Sequence, residues 1–68
     1  MDENNWVAVQ AGILNMPTTR IFIVYIVAEG QFGVFRDDVR HGTSQTLDGA
    51  KMMAKDFVAD LLSIGIEP

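Results

Sequence analysis

The polar stretch from Asp37 to Gln45 holds an acid pair, Asp37 and Asp38, an imidazole, His41, and a hydroxyl, Ser44. These are the residue types of nucleophilic catalysis: a hydroxyl to attack, an imidazole to take its proton and a carboxylate to orient the ring. Two carboxylates and an imidazole are also donors for a metal. Either chemistry needs a water-excluding cleft that holds the groups within hydrogen-bond reach. One loop on a chain of 68 residues supplies no such cleft, and its polarity is what any solvated turn requires. No phosphate-cradling glycine loop, Cys-x-x-Cys or His-x-x-x-His spacing occurs. The expectation is a protein with no catalytic residues, no metal and no cofactor.

The three arginines are the second candidate. Arginine's planar fork matches carboxylates and phosphates. A hairpin turning at Glu29-Gly30 gathers Arg20, Arg36 and Arg40 at its far end. There they read as an anion contact, or as surface ion-pair partners of Asp37 and Asp38. The whole chain is acidic, with nine acids, five bases and a formal net charge of −4. Nucleic-acid binding runs on clustered Lys and Arg that neutralise phosphates. The charge balance therefore argues against DNA or RNA, and favours solubility and attraction to basic surfaces.

A meander must position these groups. Trp6 to Leu14 reads as a strand with Val7, Val9, Ala11 and Ile13 on one face, ended by Asn15 to Thr19 around Pro17. Arg20 to Ala28 is β-branched and aromatic on both faces, the pattern of a central strand buried from two sides. Glu29-Gly30 makes a two-residue turn, and Gln31 to Arg36 returns. That register sets Val27 against Phe32, Tyr25 against Val34 and Ile23 against Arg36. On the other face it sets Ile26 against Gly33 and Val24 against Phe35. A bend at His41-Gly42 follows, with Val39-Arg40 prolonging the third strand or forming a short extra one.

Thr46 is the expected N-cap of a helix starting at Leu47, with Asp48 favourable in its first turn. Leu47, Ala50, Met53, Ala54, Phe57, Val58, Leu61 and Ile64 form one stripe at helical spacing. Gly65 suits the left-handed position that ends a helix, bringing Ile66 back to Leu61. Gly49 costs about 1 kcal/mol relative to alanine, a cost that fits a close approach of helix to sheet. The expected fold class is α+β, a three-stranded antiparallel β-meander with one C-terminal α-helix packed on one face. It forms a single domain spanning residues 1–68.

One helix covers one face of such a sheet. The other face then shows Phe22, Val24, Ile26 and Phe35, or alternatively the Ile21, Ile23, Tyr25, Val27, Phe32 and Val34 set. Neither is the polar exterior of a one-sided antiparallel sheet. An exposed apolar patch of that kind marks a protein partner, unless Trp6, Leu14, Met16 and the Pro17 loop fold over it. The helix exterior offers a lesser strip, Met52, Ala59 and Ser63, between Lys51 and Lys55 on one edge and Asp56 and Asp60 on the other.

Three strands followed by a helix resemble plant AP2-type and integrase arm-type DNA-binding domains, whose sheets present basic side chains to the major groove. Here the sheet presents Ile, Val and Phe, so the resemblance extends to topology alone. As a class, the small acidic cysteine-free domain with surplus apolar surface resembles phage and mobile-element inhibitors, such as anti-CRISPR proteins and phage inhibitors of host RNA polymerase.

Hydropathy and size complete the reading. Half the residues are apolar, 49%, yet a chain this short buries only about 60% of its unfolded surface. Without cysteine, and with one histidine, neither disulfides nor a structural zinc can supplement the core. The longest fully apolar run, Ile21 to Ala28, is far short of a membrane span. The acidic start, Met1 to Asn5, has no signal-peptide character, which points to the cytoplasm. The expected function is a small non-catalytic protein-binding module, homodimeric, that occludes or bridges a partner. Its contact residues are Phe22, Val24, Ile26 and Phe35, with Arg20 and Arg36 at the edge. A nucleic-acid-binding sheet and a structural subunit of a larger assembly are the alternatives.

Overall fold

A computed structural model describes residues 6–68; the acidic start lies outside the described residues. Five strands and one helix follow one another: β1 (Val7–Gln10), β2 (Ile13–Asn15), β3 (Ile21–Ile26), β4 (Gln31–Arg36), β5 (Val39–Ser44) and α1 (Leu47–Ser63). The strands form one antiparallel sheet in sequence order. The α+β class with a C-terminal helix on the sheet is as the sequence predicts. The number of strands is not three but five, and each extra strand has a local cause.

The expected first strand is a hairpin. Gly12, at φ 78°, takes the left-handed conformation that glycine adopts at little cost, and the chain folds back at Ala11-Gly12. Val7 and Ile13 therefore lie on two strands. The register shifts between Ala8 and Gln10, which leaves Val9 as a bulge at the sheet edge.

At the other side, the bend sits at Asp37-Asp38, where Asp37 has φ 56°. Aspartate tolerates that region better than most residues do. His41-Gly42 lies inside β5 beside a register shift, so its polarity marks a solvated edge strand and not a turn.

The central hairpin differs in register. Its loop is the four residues Val27 to Gly30, closed by bonds from the Glu29 and Gly30 amides to the Ile26 carbonyl, 3.0 and 2.8 Å. Tyr25 then faces Phe32, with ring centroids 5.0 Å apart, and Ile23 faces Val34. Val24 faces Gly33, and Phe22 faces Phe35. The slip is an even number of residues, so every side chain keeps its expected face. Val27 and Ala28 lose their places in the strand, and Val27 stands 81% exposed in the loop.

The helix forms as expected. The Gly49 amide donates to Thr46 Oγ1 at 3.0 Å, which satisfies one of the first-turn donors. At the far end, the Ile66 amide reaches the Leu61 carbonyl (2.9 Å) and the Gly65 amide the Leu62 carbonyl (3.1 Å), with Gly65 at φ 80°. Both bonds of a Schellman ending are made. A Cβ on Gly49 would collide with Ser44 Oγ and lie 3.0 Å from Thr46 Oγ1, so glycine there does permit a close seat on β5. Ile64 departs from the stripe and is exposed.

The core lies between α1 and one sheet face. Ile21, Ile23 and Val34 from the sheet meet Ala50, Ala54 and Leu61 from the helix. Phe32, Leu47, Met53, Phe57 and Val58 surround them, and so do Trp6, Leu14 and Met16. The last three thus pack on the helix side. They are therefore not placed over the opposite face, the alternative to an open patch in the sequence.

Candidate functional site

Alternation fixes what the uncovered face carries. If Ile21, Ile23 and Val34 point to the helix, then Phe22, Val24 and Ile26 of β3 and Phe35 of β4 point away from it. Ile13 joins them opposite Val24. These five side chains are half-buried. Among the described elements there is no second helix or sheet to lay over them.

Gly33 flattens the centre of this face. A Cβ there would come 2.7 Å from Phe35 Cε1 and 2.8 Å from Ile26 Cδ1. The aromatic ring and the Ile26 methyl therefore lie over the bare backbone, filling the place of a side chain. The result is a tiled apolar surface with Asn15, Gln31 and Thr43 around it by register.

The arginines separate. Arg20 is exposed, and its Nη1 stands 3.5 Å from Asp37 Oδ2. Arg36 pairs in register with Ile21, which assigns it to the helix side of the sheet end. Its Nη2 donates to the Glu67 carbonyl at 3.0 Å, and its Nε is buried with no partner. Arg36 therefore does not edge the open face as the sequence suggested. Arg40 does, since it sits opposite Phe35 and reaches Glu29 Oε1 at 2.9 Å along that border. The three do not act as one cluster: Arg20 pairs with Asp37, Arg36 with the Glu67 carbonyl and Arg40 with Glu29 in the Val27 to Gly30 loop.

The residues that could have done catalysis disperse. Asp37 is engaged by Arg20. His41 stacks on Phe57 of α1, centroids 3.8 Å apart and planes 7° from parallel, and so ties the edge strand to the helix. Ser44 Oγ accepts from the Thr46 amide at 3.3 Å, just ahead of the N-cap. Among the described residues no three His, Cys, Asp or Glu side chains come together as metal ligands. A shallow depression lined by Thr18, Thr19, Arg20, Leu62, Glu67 and Pro68 lies where the C-terminal residues meet the sheet, and the Arg20 amide donates to the Pro68 carbonyl there at 2.8 Å. Its one cation, Arg20, is already paired.

The large apolar side chains that are exposed include Met52 and Leu62 on the helix and Val39 on β5. Met52 is 68% exposed, as the helix projection predicts. No helix among the described residues is long and apolar enough to cross a membrane. The described residues thus form a five-stranded antiparallel meander that buries one face under a single helix and has no further helix or strand over the other. Compared with known families, characterised proteins and solved structures, the chain gives no match.

Proposed function

We propose that this chain is a non-catalytic protein-binding module whose contact surface is the open sheet face: Phe22, Val24, Ile26 and Phe35, with Ile13 beside them and Arg40 at the border. One observation carries the reading. Trp6, Leu14 and Met16, the side chains available to seal that face, are spent on the core beneath the helix. A flat apolar centre with a polar rim is the anatomy of an interface, and uncovered patches of this kind mark protein partners. Such a module acts by occupying or bridging a surface of its partner. Phage and mobile-element inhibitors of host or defence machinery work in that way, in the cytoplasm. Both arginines with accessible guanidinium groups beside the sheet, Arg20 and Arg40, already face carboxylates, which disfavours the nucleic-acid alternative.

The substitution Val24→Lys tests the reading. A lysine stem can lie along the sheet with its ammonium in water, so the variant keeps its circular dichroism and unfolds within a few degrees of the parent chain. Global unfolding of Val24→Lys at room temperature would show the residue to be core and remove the proposal.

A further inference from the structure

We infer that the occupant of the open sheet face is a second copy of this chain, the two sheets stacking face to face about a two-fold axis; the inference rests on the protein-binding reading of that face. Three observations carry it.

The first is charge. The segment from Trp6 to Ser44 contains all three arginines and three acids, Glu29, Asp37 and Asp38, and is neutral. The chain's net charge of −4 comes from Asp2, Glu3, the helix and Glu67. The helix lies on the far side of the sheet, a layer of about 10 Å away. Two copies meeting sheet to sheet hold their helices apart by more than the screening length of about 8 Å at physiological salt. The strands and their turns thus offer a strongly basic partner no net complement, while a second neutral sheet meets no repulsion there.

The second is self-complementarity at the rim. A two-fold contact sets each patch against itself. Arg40 and Glu29, 2.9 Å apart at the border, form a pair of opposite sign. Rotation about the axis can bring the Arg40 of each copy toward the Glu29 of the other without juxtaposing like charges.

The third is area. Strands of 4, 3, 6, 6 and 6 residues, at about 3.3 Å per residue and about 4.8 Å between strands, give a footprint of about 400 Å² per copy and about 800 Å² in total. That is the size of a weak, transient contact and predicts a reversible dimer that forms only at high concentration. The product is a four-layer sandwich, helix–sheet–sheet–helix, with two inner faces packed about 10 Å apart.

Analytical ultracentrifugation of the full chain across micromolar to millimolar concentrations is the test. The expected result is a monomer–dimer equilibrium that barely changes with salt, because the contact is apolar and neutral. Val24→Lys weakens it by about a hundredfold or more. Arg40→Glu, at an exposed side chain that the fold does not need, sets like charges against each other at the rim. It weakens the dimer by about tenfold at low salt and recovers at high salt. Met52→Lys, on the helix exterior, has no effect. Loss of the dimer in Met52→Lys, with Val24→Lys unchanged, would place the contact on the helix and overturn the inference.

A chain that stays monomeric at millimolar concentration would overturn it as well. The reactivity of a thiol placed at position 24 then separates the two failures. A reactive thiol in that monomer leaves the face open for a different protein. A protected one shows that the chain itself covers the face, and removes the docking surface together with the dimer.

Discussion

Ile23→Ala is expected to leave most of the chain unfolded near physiological temperature. Ile23 is 1% exposed and sits between Leu14 and Val34 in the sheet, beneath the helix. Truncating a buried isoleucine to alanine costs about 2–5 kcal/mol, part lost transfer energy and part the cavity left behind. A domain of 68 residues has a total stability of about 3–10 kcal/mol. The loss is thus a large share of the whole, with no disulfide to cushion it. Chemical denaturation followed by circular dichroism measures it. Val24→Ala, one residue along on the opposite face, is the control and should cost less than half as much. Equal losses at the two positions would mean that β3 is buried equally on both faces within one chain.

Ala54→Leu carries the second large effect, with the opposite change in volume. Ala50 and Ala54 are fully buried where α1 crosses the sheet, and Gly42 lies under Met53, with a would-be Cβ 2.9 Å from its Sδ. Small residues let the helix sit close, so a leucine at 54 must push helix and sheet apart. Overpacking of this kind costs about 1–3 kcal/mol. In a domain of this size, each kcal/mol lowers the midpoint by about 4–8 °C. Leucine and alanine have nearly equal helix propensity, so the backbone does not offset the loss. Ala59→Leu, on the exposed side of the same helix, should leave the midpoint within about 2 °C. A midpoint of Ala54→Leu as high as that of Ala59→Leu would show a looser helix–sheet contact than the structure has.

The legibility of the fold followed the range of the interactions. The helix was readable to the residue because its signals are local: a threonine whose hydroxyl meets a first-turn amide, a 3.6-residue stripe, and a glycine at φ 80°. The faces of β3 and β4 were readable for the same reason, since alternation survives a register slip of two. The strand count was not. Trp6 to Leu14 alternates as one strand would, and only Gly12 could have suggested the hairpin. In β5 the apolar content is low because an edge strand packs through backbone bonds and one stacked histidine. Its Gly42 has the local signature of a bend, whereas in the fold it makes room for Met53.

The site divides along the same line. Phe22, Val24, Ile26 and Phe35 share a face because β periodicity dictates it. The arginines depend on which turn closes which hairpin, and moving the bend from His41-Gly42 to Asp37-Asp38 turned Arg40 toward Glu29. The role of Gly33 was also hidden. Nothing local says that a neighbouring ring will lie over a glycine, although a glycine two residues before a phenylalanine in a strand is the pattern that permits it.

The uncovered face is the centre of this account, and the absence of cysteine allows it to be measured directly. Single thiols placed by Val24→Cys and Val34→Cys are to be reacted with a small alkylating reagent at low micromolar concentration, where self-association is minor. Position 34 is fully buried and reacts only through rare opening of the fold, about a thousandfold more slowly than the unfolded chain. Position 24 should react within about tenfold of the unfolded rate, as a half-buried surface thiol does. If the thiol at 24 is as slow as the thiol at 34 in dilute solution, the chain covers its own second face and the docking surface does not exist.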